Sequence, residues 1–199
     1  AKQAGAAMLK LAAPLLAIVG GGTLAGVFEL ATAWARVGAE LSNTGQILGL
    51  STDKLSAIRG AGELAGVSAQ SMTGAFKGLQ NTLQDAFWGR NQGAASMLQF
   101  LGISLKRTKD GAIDTQDAML RLADKIKVAM ERDPAAGRRL AAMFGLEEAL
   151  PLLMQGSEAV ARYQERAQQL SGVTPEMTAR ATSFSEKLKE MGLATDGIK

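Results

Sequence analysis

The sequence predicts an all-α protein: a compact array of short helices carrying one small β-hairpin near residues 103–114. Three observations carry that prediction. Ala, Leu, Gly and Met abound while only 5% of residues are aromatic, a composition that packs helices closely and feeds few twisted sheets. Apolar residues recur at helical spacing along most of the chain. The runs are also short, each closed by a glycine and reopened by a serine, threonine or aspartate, as in LGLS at 48–51 and AGVS at 65–68.

Taken in order, helical spacing starts at Thr23, with Leu24, Val27, Phe28, Leu30, Ala31, Trp34 and Val37 on one broad stripe, and extends to about Leu48. Gly49 reads as a stop and Ser51 as an N-cap, because a serine hydroxyl accepts from the free amides of a first turn. Leu55, Ile58, Ala61, Gly62 and Ala65 continue the apolar face to Gly66. Ser68 repeats the cap, and the next helix, from about Ala69 to Trp88, carries Met72, Phe76, Leu79, Leu83 and Phe87. GRNQG at 89–93 is a loop by its glycines, and Ala94–Leu101 is one more short helix ending at Gly102.

There the period changes. Residues 103–107 and 112–114 flank Lys109-Asp110-Gly111, and an Asp-Gly pair between short alternating segments signals a β-hairpin. Thr115 then caps a helix with Met119, Leu122, Ala123, Ile126 and Met130 on its apolar stripe and Asp117, Asp124, Lys125 and Lys127 facing out. Asp133-Pro134 restarts the chain into a helix that stops near Phe144 and Gly145. A brief helix at 146–154 contains Pro151, a longer one runs from Ser157 to Leu170, and Thr174-Pro175 opens the last, to about Met191. Laid out as one helix the chain would span roughly 300 Å, so the frequent stops predict a body folded back on itself. Its methionines fall mostly at core spacing, as gap fillers.

Function classes narrow quickly. The chain of 199 residues, 47% apolar, can bury a sizeable core. Cysteine and histidine are both absent, which removes thiol nucleophiles, imidazole bases, disulfides and the usual zinc ligand sets. The sequence thus predicts no catalytic residues, no cofactor and no metal. A formal charge of +3 with interspersed signs predicts no specific nucleic-acid binding. The small basic knots, Lys106 with Arg107 and Lys109, and Arg138 with Arg139, read as generic surface. The Gly20-Gly21-Gly22 triplet lacks the Lys-Ser/Thr ending of a phosphate loop. The carboxylate pairs Glu147 with Glu148 and Glu186 with Glu190 lack the aromatic surroundings of a sugar-cleaving site and read as solvated helix faces.

Between Leu11 and Phe28 eighteen residues carry no charge, just enough to cross a hydrocarbon core as a helix. Its apolar side chains are Leu11, Leu15, Leu16, Ile18, Val19, Leu24, Val27 and Phe28. Three readings stay open: a transmembrane segment, a buried hairpin hinged at the glycines with Pro14 interrupting it, and a secretory signal. Residues 1–39 are therefore read as an apolar, glycine-hinged helical segment and 40–199 as the main helical domain. The absent initiator methionine predicts a processed product or a portion of something longer.

The order of the motifs is more specific than any one of them. ELSNTGQILGLSTDKLSAIRGAGELAGVSA at 40–69, AFKGLQNTL at 75–83, LGISLKRTKDGAIDTQDAMLRLAD at 101–124 and RRLAAMFGLEEALPLLMQG at 138–156 together resemble bacteriophage tail tape measure proteins. The resemblance covers about Leu30 to Met191, and the TARATSFSEKLKEM helix at 178–191 is similar as well. It implies a mostly helical structural protein of the virion, lying in the tail lumen or tip, that sets tail length during assembly and leaves ahead of the genome at infection. The implied partners are tail tube proteins, tail tip or baseplate proteins, a tail assembly chaperone, other copies of the chain in threes or sixes, and the host inner membrane. Tape measure proteins are generally much longer, and none of their murein-cleaving or peptidase modules is evident here. The small residues Ala57, Gly60, Ala61 and Ala65 are candidate helix-packing contacts, read as an exposed face. A membrane-inserting or pore-forming module is the competing reading, motivated by Leu11 to Phe28.

Overall fold

A computed structural model describes residues 24–171, 176 and 179–187. The chain divides into two compact units, one of Ala1–Thr52 with Thr174–Lys199 and one of Asp53–Val173. The fold is all-α, as the composition predicts. The helices are α1 (Leu24–Leu48), α2 (Thr52–Leu64), α3 (Ala69–Phe87), α4 (Gln92–Phe100), α5 (Thr115–Arg132), α6 (Pro134–Met143), α7 (Leu150–Leu153) and α8 (Ser157–Ser171). Residues 179–187 are also helical.

In the first unit α1 runs unbroken across residues 39 and 40, where the sequence suggests a division. Ala35, Leu41 and Leu48 are buried along it, and Ala181 and Phe184 are buried on the 179–187 helix.

The second unit is organised around α5, which packs against α3, α6, α7 and α8. Its stripe of Ala118, Met119, Leu122, Ala123 and Ile126 is at most 2% exposed. Burying the larger of these, Met119, Leu122 and Ile126, stabilises by roughly 1.5–3 kcal/mol each relative to exposure. Around it lie Met72, Phe76, Leu79 and Leu83 of α3, Phe144 and Leu146 after α6, and Leu152 of α7, all at 0–1% exposure. Met72 and Met119 fill core positions, but Met143 and Met154, at 40% and 45%, stay in contact with water.

The glycine stops share one construction. At Gly66 φ is +83°, a left-handed turn that costs an L side chain roughly 1–2 kcal/mol. The next amide, Val67 N–H, donates back to Gly62 O at 2.8 Å, and the Val67 side chain is 5% exposed. Leu50 to Gly45, Ile103 to Leu98 and Leu146 to Ala141 make the same bond at 2.8, 2.8 and 2.9 Å. Each is a Schellman stop, in which a glycine reverses the chain and the following aliphatic residue plugs the gap. The recurring Gly-aliphatic pairs are thus helix ends, each held by a backbone bond.

The restarts follow. Ser68 accepts from Ser71 N–H at 3.0 Å, Asn91 from Ala94 N–H at 3.0 Å, and Asp133 from Ala135 N–H at 2.8 Å with Pro134 in the first turn. One cap moves by a residue. Asp114, not Thr115, caps α5, accepting from Asp117 N–H at 3.0 Å, while Thr115 is buried inside the first turn.

The expected β-hairpin at 103–114 does not form as strands. A single antiparallel bridge joins Arg107 and Ile113, flanked by Asp114 N–H to Lys106 O at 2.9 Å and Thr108 N–H to Ala112 O at 2.8 Å. The turn itself is present, with Gly111 N–H donating to Thr108 O at 3.0 Å. Both flanks are committed elsewhere: Ile103 plugs the stop after α4, and Asp114 caps α5. Too little extended chain is left for a ladder.

Candidate functional site

Of the predicted packing residues, Ala57, Gly60 and Ala61 lie on α2 and Ala65 directly follows it. Ala57 and Ala61 are 3% and 0% exposed, so their face is occupied within the unit, which corrects the expectation that it lies open. Gly60 explains why small residues are needed: a Cβ there would sit 2.7 Å from Ala167 Cβ of α8. The two backbones approach too closely for facing methyl groups. Ala65 is half-buried at the helix end.

The predicted membrane residues Leu11, Leu15, Leu16, Ile18 and Val19 lie outside the described residues, as does the glycine triplet. Leu24, Val27 and Phe28 belong to the first turns of α1. No helix among the described residues is long and apolar enough to cross a membrane.

Glu147 and Glu148 are exposed in the turn before α7, and Glu186 is exposed while Glu190 lies outside the described residues. No group of three potential metal-binding side chains occurs among the described residues. Asp124, read as merely outward-facing, does more than the periodicity suggests. Its two carboxylate oxygens accept from Ser157 N–H at 2.7 Å and Ser157 Oγ at 2.8 Å. It therefore caps α8 from across the fold, where Gly156 (φ +88°) brings the chain beneath α5.

The surface with the most distinctive chemistry is one the sequence reading left unmarked. Where α3 ends, Leu83 and Ala86 turn inward, and Phe87, one position beyond, is left 43% exposed beside Trp88 at 64%. Their rings meet edge to face with centroids 5.4 Å apart. The Arg107 guanidinium lies 4.7 Å above the Phe87 ring, a cation–π arrangement, and donates to Gly111 O at 2.9 Å. Phe87 also walls an open groove of about 290 Å³ with Ala86, Ala95, Leu98, Gln99, Ile103, Ser104 and Leu105. Phe100, next in chain to the lining residue Gln99, is 84% exposed. The three elements that position this corner are the end of α3, the inner face of α4, and the 103–107 segment fixed by the Ile103 plug.

The neighbouring charges are mostly engaged. Arg90 pairs with Asp85 at 2.7 Å, and Asp117 holds both Lys106 and Arg121 at 2.8 Å. The arrangement holds no nucleophile with a base, and its chemistry is that of apolar contact with a cation at the edge. The signal in the sequence was the pair Phe87-Trp88 abutting a glycine stop, where a helix stripe has no more core to enter.

Compared with protein-family models, curated proteins and solved structures, the chain shows no match.

Proposed function

We propose that this chain is a non-catalytic structural module of a phage tail tape measure protein, acting within the tail lumen or at its tip. The observation that carries the reading is the order and spacing of the four motifs at 40–69, 75–83, 101–124 and 138–156. Supporting it is the all-α build. Physically, a helical chain can serve as a ruler because its rise is about 1.5 Å per residue, so the count of extended helical residues sets a length that tube subunits copy. A compact unit such as Asp53–Val173 would contribute folded contacts to tube, tip or sister chains instead of length.

The test is tail length in the particle that encodes the chain, measured by negative-stain electron microscopy with in-frame deletions elsewhere in the reading frame. Tails that shorten by about 1.5 Å per deleted helical residue sustain the reading. Absence of a tail, or tail length indifferent to the deletions, overturns it. A second reading, membrane insertion during genome delivery, is favoured by the uncharged run from Leu11 to Phe28. It predicts that a peptide of that run partitions into liposomes and becomes helical, and a peptide that stays in the aqueous phase refutes it.

A further inference from the structure

We propose that α8 is a releasable strap: it comes away from the second unit as one piece while the core built by α2 to α7 stays folded. The inference rests on packing alone and stands independently of the tail reading.

The core closes without α8. Among the described residues, every Leu, Ile, Met and Phe that is at most 1% exposed lies between Leu55 and Leu153, ahead of the start of α8 at Ser157. Along its own 15 residues α8 buries Val160 and the two alanines Ala159 and Ala167, while Leu170 stays 69% exposed. Burial stabilises in proportion to the apolar area taken from water. One valine and two alanines supply little of it against the entropy of holding a helix of this length in place.

The other ties are polar or confined to a point. Asp124 of α5 holds the Ser157 amide and hydroxyl at the first turn, and Ala167 meets α2 at Gly60. Midway, Gln116 Nε2 donates to Gln164 Oε1 at 3.4 Å, longer than a good bond of this kind. Gln164 Nε2 is buried with no acceptor. An unsatisfied buried amide is a cost of the docked state that water removes on release.

Position in the chain makes release simple. α8 is the last helix of the second unit, and two residues after Ser171 the later segment of the first unit begins at Thr174. No later helix of the second unit has to move with it. Residues 157–173 cover about 25 Å as a helix and reach about 60 Å when extended. Release therefore lengthens the connection to Thr174 while α5 keeps its contacts with α3, α6 and α7.

Amide hydrogen exchange of the full chain, followed by NMR at rising urea below the unfolding transition, tests this. Amides of residues 160–170 should exchange as one group, at least about a hundredfold faster than those of 119–126. Their rates should depend little on urea, because strap release exposes little surface. Ile58→Val, a mild change in the core, should speed exchange at 119–126 by about two- to tenfold and leave 160–170 unchanged, since the strap opens from an intact core. Val160→Ala should speed exchange at 160–170 by about tenfold. If 160–170 share the rate and urea dependence of 119–126, or follow them in Ile58→Val, α8 opens only with the whole unit and the proposal fails. Rates graded residue by residue inward from Ser171 overturn it as well, because they describe a fraying helix end.

Discussion

The contact between Gly60 and Ala167 allows a sharp test of how α2 and α8 are held together. A Cβ at Gly60 would lie 2.7 Å from the Ala167 Cβ, well inside the 3.5–4.0 Å at which carbon atoms rest. In Gly60→Ala the helices must therefore part by about 1 Å. Overpacking of this kind costs roughly 1–3 kcal/mol, offset by about 0.5–1 kcal/mol because alanine suits a helix better than glycine. The net expectation is a loss of about 1–2 kcal/mol. Ala167→Gly alone should cost about as much, through lower helix propensity and one buried methyl group lost. The double variant simply moves the methyl from one helix to the other. It should come within about 1 kcal/mol of the parent chain, against a loss of about 3 if the two sites were independent. Urea unfolding followed by circular dichroism resolves this, since at m of about 1–3 kcal/mol per M each single variant shifts the midpoint by roughly 0.5–1.5 M. Additive losses in the double variant would refute the argument that these two positions define the approach of α2 to α8.

Two further outcomes follow from the same geometry. Gly74, on α3, has open space where its Cβ would go, so Gly74→Ala should stabilise by about 0.5–1 kcal/mol and raise the urea midpoint; a fall would mean that its surface is occupied. Asp124→Ala leaves the Ser157 amide and hydroxyl without their carboxylate and should destabilise by about 1–2 kcal/mol. Amide exchange in the first turn of α8 should rise with it, and unchanged exchange there would show that the cap is idle.

How much of this was legible in the sequence depended on the distance over which each signal acts. The stops at Gly49, Gly66, Gly102 and Gly145 and the caps at Ser68 and Asp133 were readable because a Schellman bond or an N-cap spans only a few residues. The hairpin failed for a related reason: Lys109-Asp110-Gly111 does turn, but whether its flanks pair depends on what else claims Ile103 and Asp114. The choice of Asp114 over Thr115 as cap is subtle, because two adjacent residues are both competent and burial of Thr115 decides. Asp124 could not be read at all, as its partner lies 33 residues away. The aromatic corner was half legible. The helical period placed Phe87 on the apolar stripe, and only the packing shows that the core has ended at Ala86.

The division of the chain also sets a timetable. The first unit is assembled from Ala1–Thr52 and Thr174–Lys199, so the 121 residues from Asp53 to Val173 lie between its halves. At about 5–20 residues per second, a ribosome takes roughly 6–24 s to make them. During that interval the second unit has all of its own sequence and can fold, while α1 must wait with Ala35, Leu41 and Leu48 lacking the later segment of their unit. Among the described residues the nascent chain is thus exposed longest at α1, and it is there that a chaperone would find something to hold.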